Sequence, residues 1–209
     1  MKTTLLQLNA SLYSGAGQST LLGNEFVARW RQRHPGGTVV VRDLARDPVP
    51  HLTAGRFQAF LTKREERTPE QQAVVAYSDT LIAELERADT IVMGLPMYNF
   101  DVPSTLKAYF DHIARAGATF RYTEKGPVGL LTGKKVYVFA TRGGIYAGTP
   151  SDTQTAYVRQ FLRLLGIVDV EFVYAEGLAI SDASKQAALS KARQVIERLN
   201  EPERVAVAA

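Results

Sequence analysis

The chain has 209 residues, 45% of them hydrophobic, with a formal net charge of +4 and no cysteine. That length suits one α/β domain that buries a full core without disulfides. The missing cysteine excludes thiol nucleophiles, thiolate metal sites, iron-sulfur clusters and a secreted disulfide scaffold, and it fits a reducing cytoplasm.

In chain order, Thr3 to Leu8 reads as an opening strand rather than a signal peptide, because Gln7 and Asn9 interrupt the apolar run. A Gly- and hydroxyl-rich loop, Asn9 to Thr20, leads into a helix over Gln18 to His34 with Leu22, Phe26, Val27 and Trp30 on one stripe. Arg29, Arg31, Arg33 and His34 cluster at its end, where cations favour the macrodipole. Without interleaved aromatics they predict a solvated helix end and no nucleic-acid site. Thr38 to Val41 is a second strand. Asp47 to Glu66 shows no period and contains Pro48, Pro50 and Gly55, so an insertion with one helical turn is expected. Thr68-Pro69-Glu70-Gln71 joins an N-cap, a first-turn proline and a capping-box partner, predicting a helix to Arg87.

Thr90 to Leu95 is a short apolar run of the kind covered on both faces of a parallel sheet. Pro96-Met97-Tyr98-Asn99-Phe100 follows at once. A helix then carries Leu106, Tyr109, Phe110 and Ile113 on one side, with Pro103 in its first turn. Ala118 to Pro127 predicts a short hairpin or flap. Lys135 to Ala140 is a fourth strand, ended by Thr141-Arg142-Gly143-Gly144. A helix from about Asp152, turning Tyr157, Phe161 and Leu164 inward, stops at Gly166. Val168 to Tyr174 is the fifth strand, and a helix from Ser181 to Leu199 closes the chain. Five strands alternating with helices predict a doubly wound parallel sheet with helices on both faces. Residues 1–200 form one domain on this reading, and 201–209 a frayed tail. No stretch approaches the roughly 20 apolar residues of a membrane span.

Three loops share the carboxyl edge of that sheet, where open α/β folds bind ligands. In the first, Ser11, Gln18 and Ser19 are candidate anion donors at a helix start. Taken alone, that loop serves equally as an ordinary N-cap. It lacks both G-x-x-x-x-G-K-[ST] and G-x-G-x-x-G, which argues against an ATPase and a dinucleotide site. A monophosphate fits better. The second loop offers two aromatics and the Asn99 amide, the third a Gly143-Gly144 shelf on which backbone can approach a ligand. Together they suit flavin mononucleotide, FMN, with its phosphate over Ser11 to Thr20 and its flat ring between the other loops. His34, His51 and His112 have no supporting neighbours in sequence and are expected to be surface or structural, and no metal-ligand spacing links them.

The motifs P-M-Y-N-F at Pro96 to Phe100, A-R-A-G-A-T-F-R-Y-T-E at Ala114 to Glu124 and T-R-G-G at Thr141 to Gly144 are specific, and through them the chain closely resembles the FMN-dependent NADH-azoreductase and quinone reductase family of flavodoxin-like fold. The likeness spans nearly the whole chain. It implies FMN contacts at Ser11, Gly17, Gln18, Ser19, Met97, Tyr98, Asn99, Phe100, Thr141, Arg142, Gly143 and Gly144, beside Pro96. It also implies a homodimer with active sites at the subunit interface and the flap aromatic, Tyr122, near the flavin. The implied reaction is ping-pong. NADH or NADPH passes hydride to flavin N5, and a quinone or azo compound then takes it, with Phe100 and Tyr122 positioning the substrate. Some members place an aromatic at Leu164 and an arginine at Leu61, so these two departures bear on substrate range and nicotinamide preference. An electron-carrying flavodoxin and a flavin-binding regulatory module are the alternatives. A pI near 9.3 offers a carrier no acidic docking face.

Overall fold

The computed structural model describes residues 3–200; the expected tail at 201–209 lies outside them. The chain forms β1 (Thr4–Asn9), α1 (Gln18–Arg33), β2 (Thr38–Asp43), α2 (Ala54–Leu61), α3 (Pro69–Arg87), β3 (Thr90–Pro96) and α4 (Ser104–Ile113). It continues as β4 (Phe120–Thr123), β5 (Gly126–Gly129), β6 (Lys135–Thr141), α5 (Thr153–Leu165), β7 (Asp169–Ala175) and α6 (Asp182–Leu199). Five strands pair in parallel in the order β2-β1-β3-β6-β7, while β4 and β5 make a separate antiparallel hairpin. Parallel neighbours need crossovers, and helices supply them.

The sheet is buried on both sides. Leu22, Phe26 and Trp30 of α1 join Leu189 and Ile196 of α6 against one face. Leu81 and Leu85 of α3, Leu106 and Tyr109 of α4, and Val158 and Leu162 of α5 cover the other. The polar interruptions of β1 are absorbed inside this packing: buried Gln7 donates from Nε2 to Asn24 Oδ1 of α1 at 2.6 Å and to Asn9 Oδ1 at 3.2 Å. Gly94 lets α1 lie directly on β3, since a Cβ there would stand 3.2 Å from the Ser19 carbonyl oxygen.

Two expectations need correction. The insertion holds more than one helical turn: α2 spans eight residues, capped by Thr53 Oγ1 accepting from Arg56 N–H, and a 3-10 turn follows at Arg64–Glu66. Its Phe60 meets the buried His112 ring edge-on at 5.9 Å, so tertiary contact orders a segment with weak intrinsic periodicity. On α5 the buried stripe is Gln154, Val158, Leu162 and Leu165. Tyr157 and Phe161 lie at its edge, where Phe161 stacks on Phe110 at 4.0 Å. Both residue sets have helical spacing, and only docking on the sheet selects between them.

The hairpin is rooted by an unusually close backbone approach. Gly166 ends α5 at φ 97°, and a Cβ on Gly129 would stand 1.9 Å from Gly166 N. Gly129→Ala therefore forces the hairpin off α5, at an expected cost of about 1–3 kcal/mol. Thermal unfolding should register this as a midpoint lowered by about 2–4 °C per kcal/mol. A wild-type midpoint would show that the approach is not needed.

Candidate functional site

From β1 the chain crosses to β2 on one side and later to β3 on the other, so the crevice between their carboxyl ends is the topological switch point. The register brings three strand ends to one edge, with Asn9 opposite Gly94 and Pro96 opposite Thr141. A shallow cleft of about 180 Å³ opens there. Of the expected site residues it gathers Ser11, Gly17, Gln18, Pro96, Met97, Tyr98, Thr141, Arg142 and Gly143. Ser19, Asn99, Phe100 and Gly144 stand outside its lining.

Ser19 nonetheless belongs to the most telling part of the edge. Helix α1 starts after Gly17 with no side-chain cap, and its first amides have no intrahelical acceptor. The Ser19 and Thr20 hydroxyls, both buried, find no hydrogen-bond partner among the described residues. Buried polar atoms are normally satisfied, so unpaired hydroxyls beside unpaired amides at a positive helix end describe an anion receptor. Gly17 keeps the approach open, because a Cβ there would lie 2.1 Å from Ser11 Oγ. A flavin phosphate fits this donor set.

The loop after β3 is a tight turn. Tyr98 N–H donates to the Asp101 carbonyl at 3.1 Å, and Asp101 N–H returns the bond to Tyr98 at 3.0 Å. Both central residues are left-handed, Asn99 at φ 51° and Phe100 at φ 66°, the φ signature of a type I′ turn. Asparagine tolerates that region, whereas for a bulky residue it is a true outlier costing about 1–3 kcal/mol. The strain stands Phe100 out at the rim, 53% exposed, edge-on to Tyr146 at 5.4 Å. The Tyr98 hydroxyl accepts from Leu12 N–H at 3.3 Å and Met97 N–H donates to the Thr141 carbonyl at 2.9 Å, so this turn is tied to both neighbouring loops. Asn99 faces an adjoining groove of about 510 Å³ that shares Tyr98 and runs along α4 toward α5.

Not every expected residue comes to the cleft. Tyr122, 75% exposed, sits on the hairpin, which joins the end of α4 to the start of β6 and so springs from the opposite end of the sheet. It does not line the cleft of its own chain. Leu61 ends α2 exposed, and Leu164 is half-buried near the hairpin root. The histidines take structural or surface places. His112 is buried, and burial together with the nearby Arg56 lowers its pKa against the bond to the Ala108 carbonyl. His34 stacks on Trp30 at 4.4 Å, and His51 lines the groove. Arg29 is paired with Glu197 at 2.8 Å. Sequence reading missed two lining residues, Tyr13 and Leu178. Tyr13 lay within the first loop, but Leu178 follows β7 and only the loop pairing below brings it in.

Arg142 occupies the loop after β6 in an unexpected way. Its side chain is wholly buried, bonded to Asp152 at 2.8 Å, Glu176 at 3.1 Å and Thr155 Oγ1 at 2.9 Å, with its guanidinium 5.0 Å from the Tyr174 ring centre. Both terminal nitrogens of the guanidinium are therefore committed to the protein, the buried Nε has no partner among the described residues, and the backbone N–H of Arg142 donates to the Ala175 carbonyl at 3.0 Å. Glu176 in turn accepts from Tyr146 N–H at 2.8 Å and Ala147 N–H at 2.9 Å. The carbonyls of Arg142, Gly143 and Gly144 are taken by amides of Leu178, Ala179 and Gly177. Among the described residues no acceptor takes the Gly143 or Gly144 N–H. Two donors are thus left unpaired on this turn, that of Gly143 at the cleft lining. Burial opposes ionisation of Asp152, but hydrogen bonds from Arg142 and Thr155 outweigh it and hold the carboxyl below its usual range. A depressed carboxylate pKa stabilises the fold at neutral pH, and that contribution is lost as pH falls below about 4. Arg142→Met should cost about 3–5 kcal/mol at pH 7, leaving two carboxylates around an uncharged centre. The deficit should shrink as the pH falls through the range in which Asp152 takes up its proton; urea unfolding at pH 7 and at about pH 3.5 checks this, and a pH-independent deficit would contradict it.

Comparison with known proteins agrees with this geometry. The family profile described as flavodoxin-like fold matches residues 3–199. An FMN-dependent NADH:quinone oxidoreductase of Cellvibrio japonicus is 58% identical over 195 residues, covering 93% of this chain and 97% of that protein. FMN-dependent NADH:quinone oxidoreductase 6 of Burkholderia lata is 56% identical over 194 residues, covering 93% and 98%. Among solved structures, an azoreductase from Bacillus anthracis superposes with a TM-score of 0.87 at 27% identity, covering 95% of this chain and 98% of that one. An FMN-dependent NADH-azoreductase of the same organism, solved in complex with FMN, gives 0.84 at 29% identity, covering 95% and 100%. The chain therefore belongs to the flavodoxin-like family of FMN-dependent NADH:quinone oxidoreductases and azoreductases.

Proposed function

We propose that this protein transfers hydride equivalents from NADH to quinones and to aromatic azo compounds, with FMN held at the carboxyl edge of β1, β3 and β6. The observation that carries the reading is the pair of buried, unpartnered hydroxyls of Ser19 and Thr20 at the uncapped start of α1, on the same edge as the cleft. When bound, FMN supplies the hydride chemistry, so the protein need only bind, orient and shield. Ser11, Gly17, Gln18 and Ser19 receive the phosphate. Met97 to Phe100 form one wall, and the Gly143 and Gly144 N–H groups offer donors where negative charge develops. Exposed Phe100 supplies a flat apolar surface that limits how an aromatic visitor can lie. Donor and acceptor are successive visitors, the ping-pong order.

A second copy of the chain completes the site in this reading. Tyr122 is remote from its own cleft and largely exposed, while apolar side chains of Leu12, Tyr13, Phe100 and Ile145 stand exposed around the cleft rim. A homodimer would cover that rim and deliver Tyr122 from the partner. No helix among the described residues is long and apolar enough to cross a membrane. A cysteine-free chain suits the cytoplasm.

The purified protein should be yellow, bleach anaerobically with NADH and recover colour with a quinone. Bound flavin that NADH cannot reduce would point to an electron carrier instead. Ser19→Ala should raise the FMN Kd about tenfold or more, the value of one hydrogen bond to a charged group, and Gln18→Ala with it further still. Titration giving the wild-type Kd for the double variant would overturn the phosphate assignment. Tyr122→Ala should leave FMN affinity unchanged and slow quinone reduction about tenfold, while light scattering in solution should give twice the chain mass.

A further inference from the structure

The strained turn after β3 needs something to hold it, and the first turn of α5 does so. Thr153 Oγ1 donates to the Phe100 carbonyl. Gln154, fully buried, donates from Nε2 to the Pro96 carbonyl at 3.0 Å and to the Asp101 carbonyl at 3.1 Å. Its two amide protons thus span the base of the loop, one to each end. The opposite amide orientation would set an oxygen against two carbonyl oxygens, so the donors' direction is fixed by chemistry. From this we infer that Gln154 is a positioning residue of the active site, bracing Pro96 to Asp101 so that Asn99 and Phe100 keep their left-handed conformation against the flavin.

The brace has the right chemistry for the task. Two consecutive left-handed residues, one of them phenylalanine, persist only where the surroundings over-determine them. Three carbonyls of one short loop are claimed from a single helical turn, and that turn is anchored by the Asp152 bond to Arg142. Hence the wall after β3 and the shelf after β6 are referenced to one rigid element. A methionine at 154 would keep the volume and lose both donors. A glutamate would offer one proton when neutral and none when ionised.

The inference rests on the proposed reading of the cleft, and the experiment separates the two. In FMN-loaded Gln154→Met, amide exchange at Tyr98 and Asp101 should quicken about tenfold or more, because the loop opens locally rather than with the whole fold. FMN Kd should rise about tenfold, and KM for a quinone should rise by more than kcat falls, since the defect lies in presentation of the wall and not in the chemistry. Exchange in the strands should stay as in the wild type. Wild-type exchange at Tyr98 and Asp101 with wild-type FMN affinity would overturn the role of Gln154. Should Gln154→Met fail to fold, Gln154→Glu decides: its FMN affinity should fall more steeply with rising pH than the wild type's, as the buried carboxyl loses its one donor. A pH dependence parallel to the wild type's would overturn the proposal. If the wild type itself takes up no FMN, the reading of the cleft fails, yet loop exchange in the flavin-free variant still reports whether Gln154 braces the turn.

Discussion

A guanidinium with no solvent exposure is costly unless its charge is answered on the spot, and Arg142 is answered twice, by Asp152 and Glu176. Those partners come from the N-cap of α5 and the loop after β7, while Arg142 itself directly follows β6. One buried cation therefore ties the start of α5 to two segments that backbone pairing already sets side by side. Hydrophobic packing builds the layers, but it is non-directional and cannot aim a loop. The Arg142 network can, because each hydrogen bond has a direction and each lost partner leaves a buried charge.

From that anchor the geometry of the edge follows. Glu176 holds the Tyr146 and Ala147 amides, which shapes the chain just beyond Gly143 and Gly144. Asp152 starts the helix whose next two residues clamp the turn at Asn99 and Phe100. Three features that weaken the fold locally gather at this carboxyl edge: unpaired hydroxyls at α1, two left-handed residues after β3, and free amides after β6. Several local rules are broken together at this edge, the kind of clustering expected where function rather than stability selects them.

Tyr122 illustrates a different limit. The hairpin motif is specific enough to suggest a place beside a flavin, yet within one chain the hairpin springs from the far end of the sheet. The proposed division of the site between two copies would reconcile a cleft open on one side with an aromatic that does not reach its own. The half-exposed apolar rim gives such a partner something to bury.

Much of the molecule is written locally. Runs of β-branched residues, the Thr68 capping box and Gly166 mark elements within a residue or two of where they form, because period, caps and backbone restrictions act over a few neighbours. The three edge loops are likewise legible, since strand-to-helix connections in a parallel sheet must emerge at one edge. What tertiary structure alone decided are the long-range choices: that α5 buries Val158 and Leu162 rather than Tyr157 and Phe161, that contact with His112 orders α2, that Leu178 joins the cleft, and that Arg142 turns inward while Gln154 braces a turn more than fifty residues before it. Each depends on which surfaces meet once the sheet closes. Spacing along the chain allowed several arrangements in every case, and only the satisfaction of buried charges, hydrogen bonds and volume selected one.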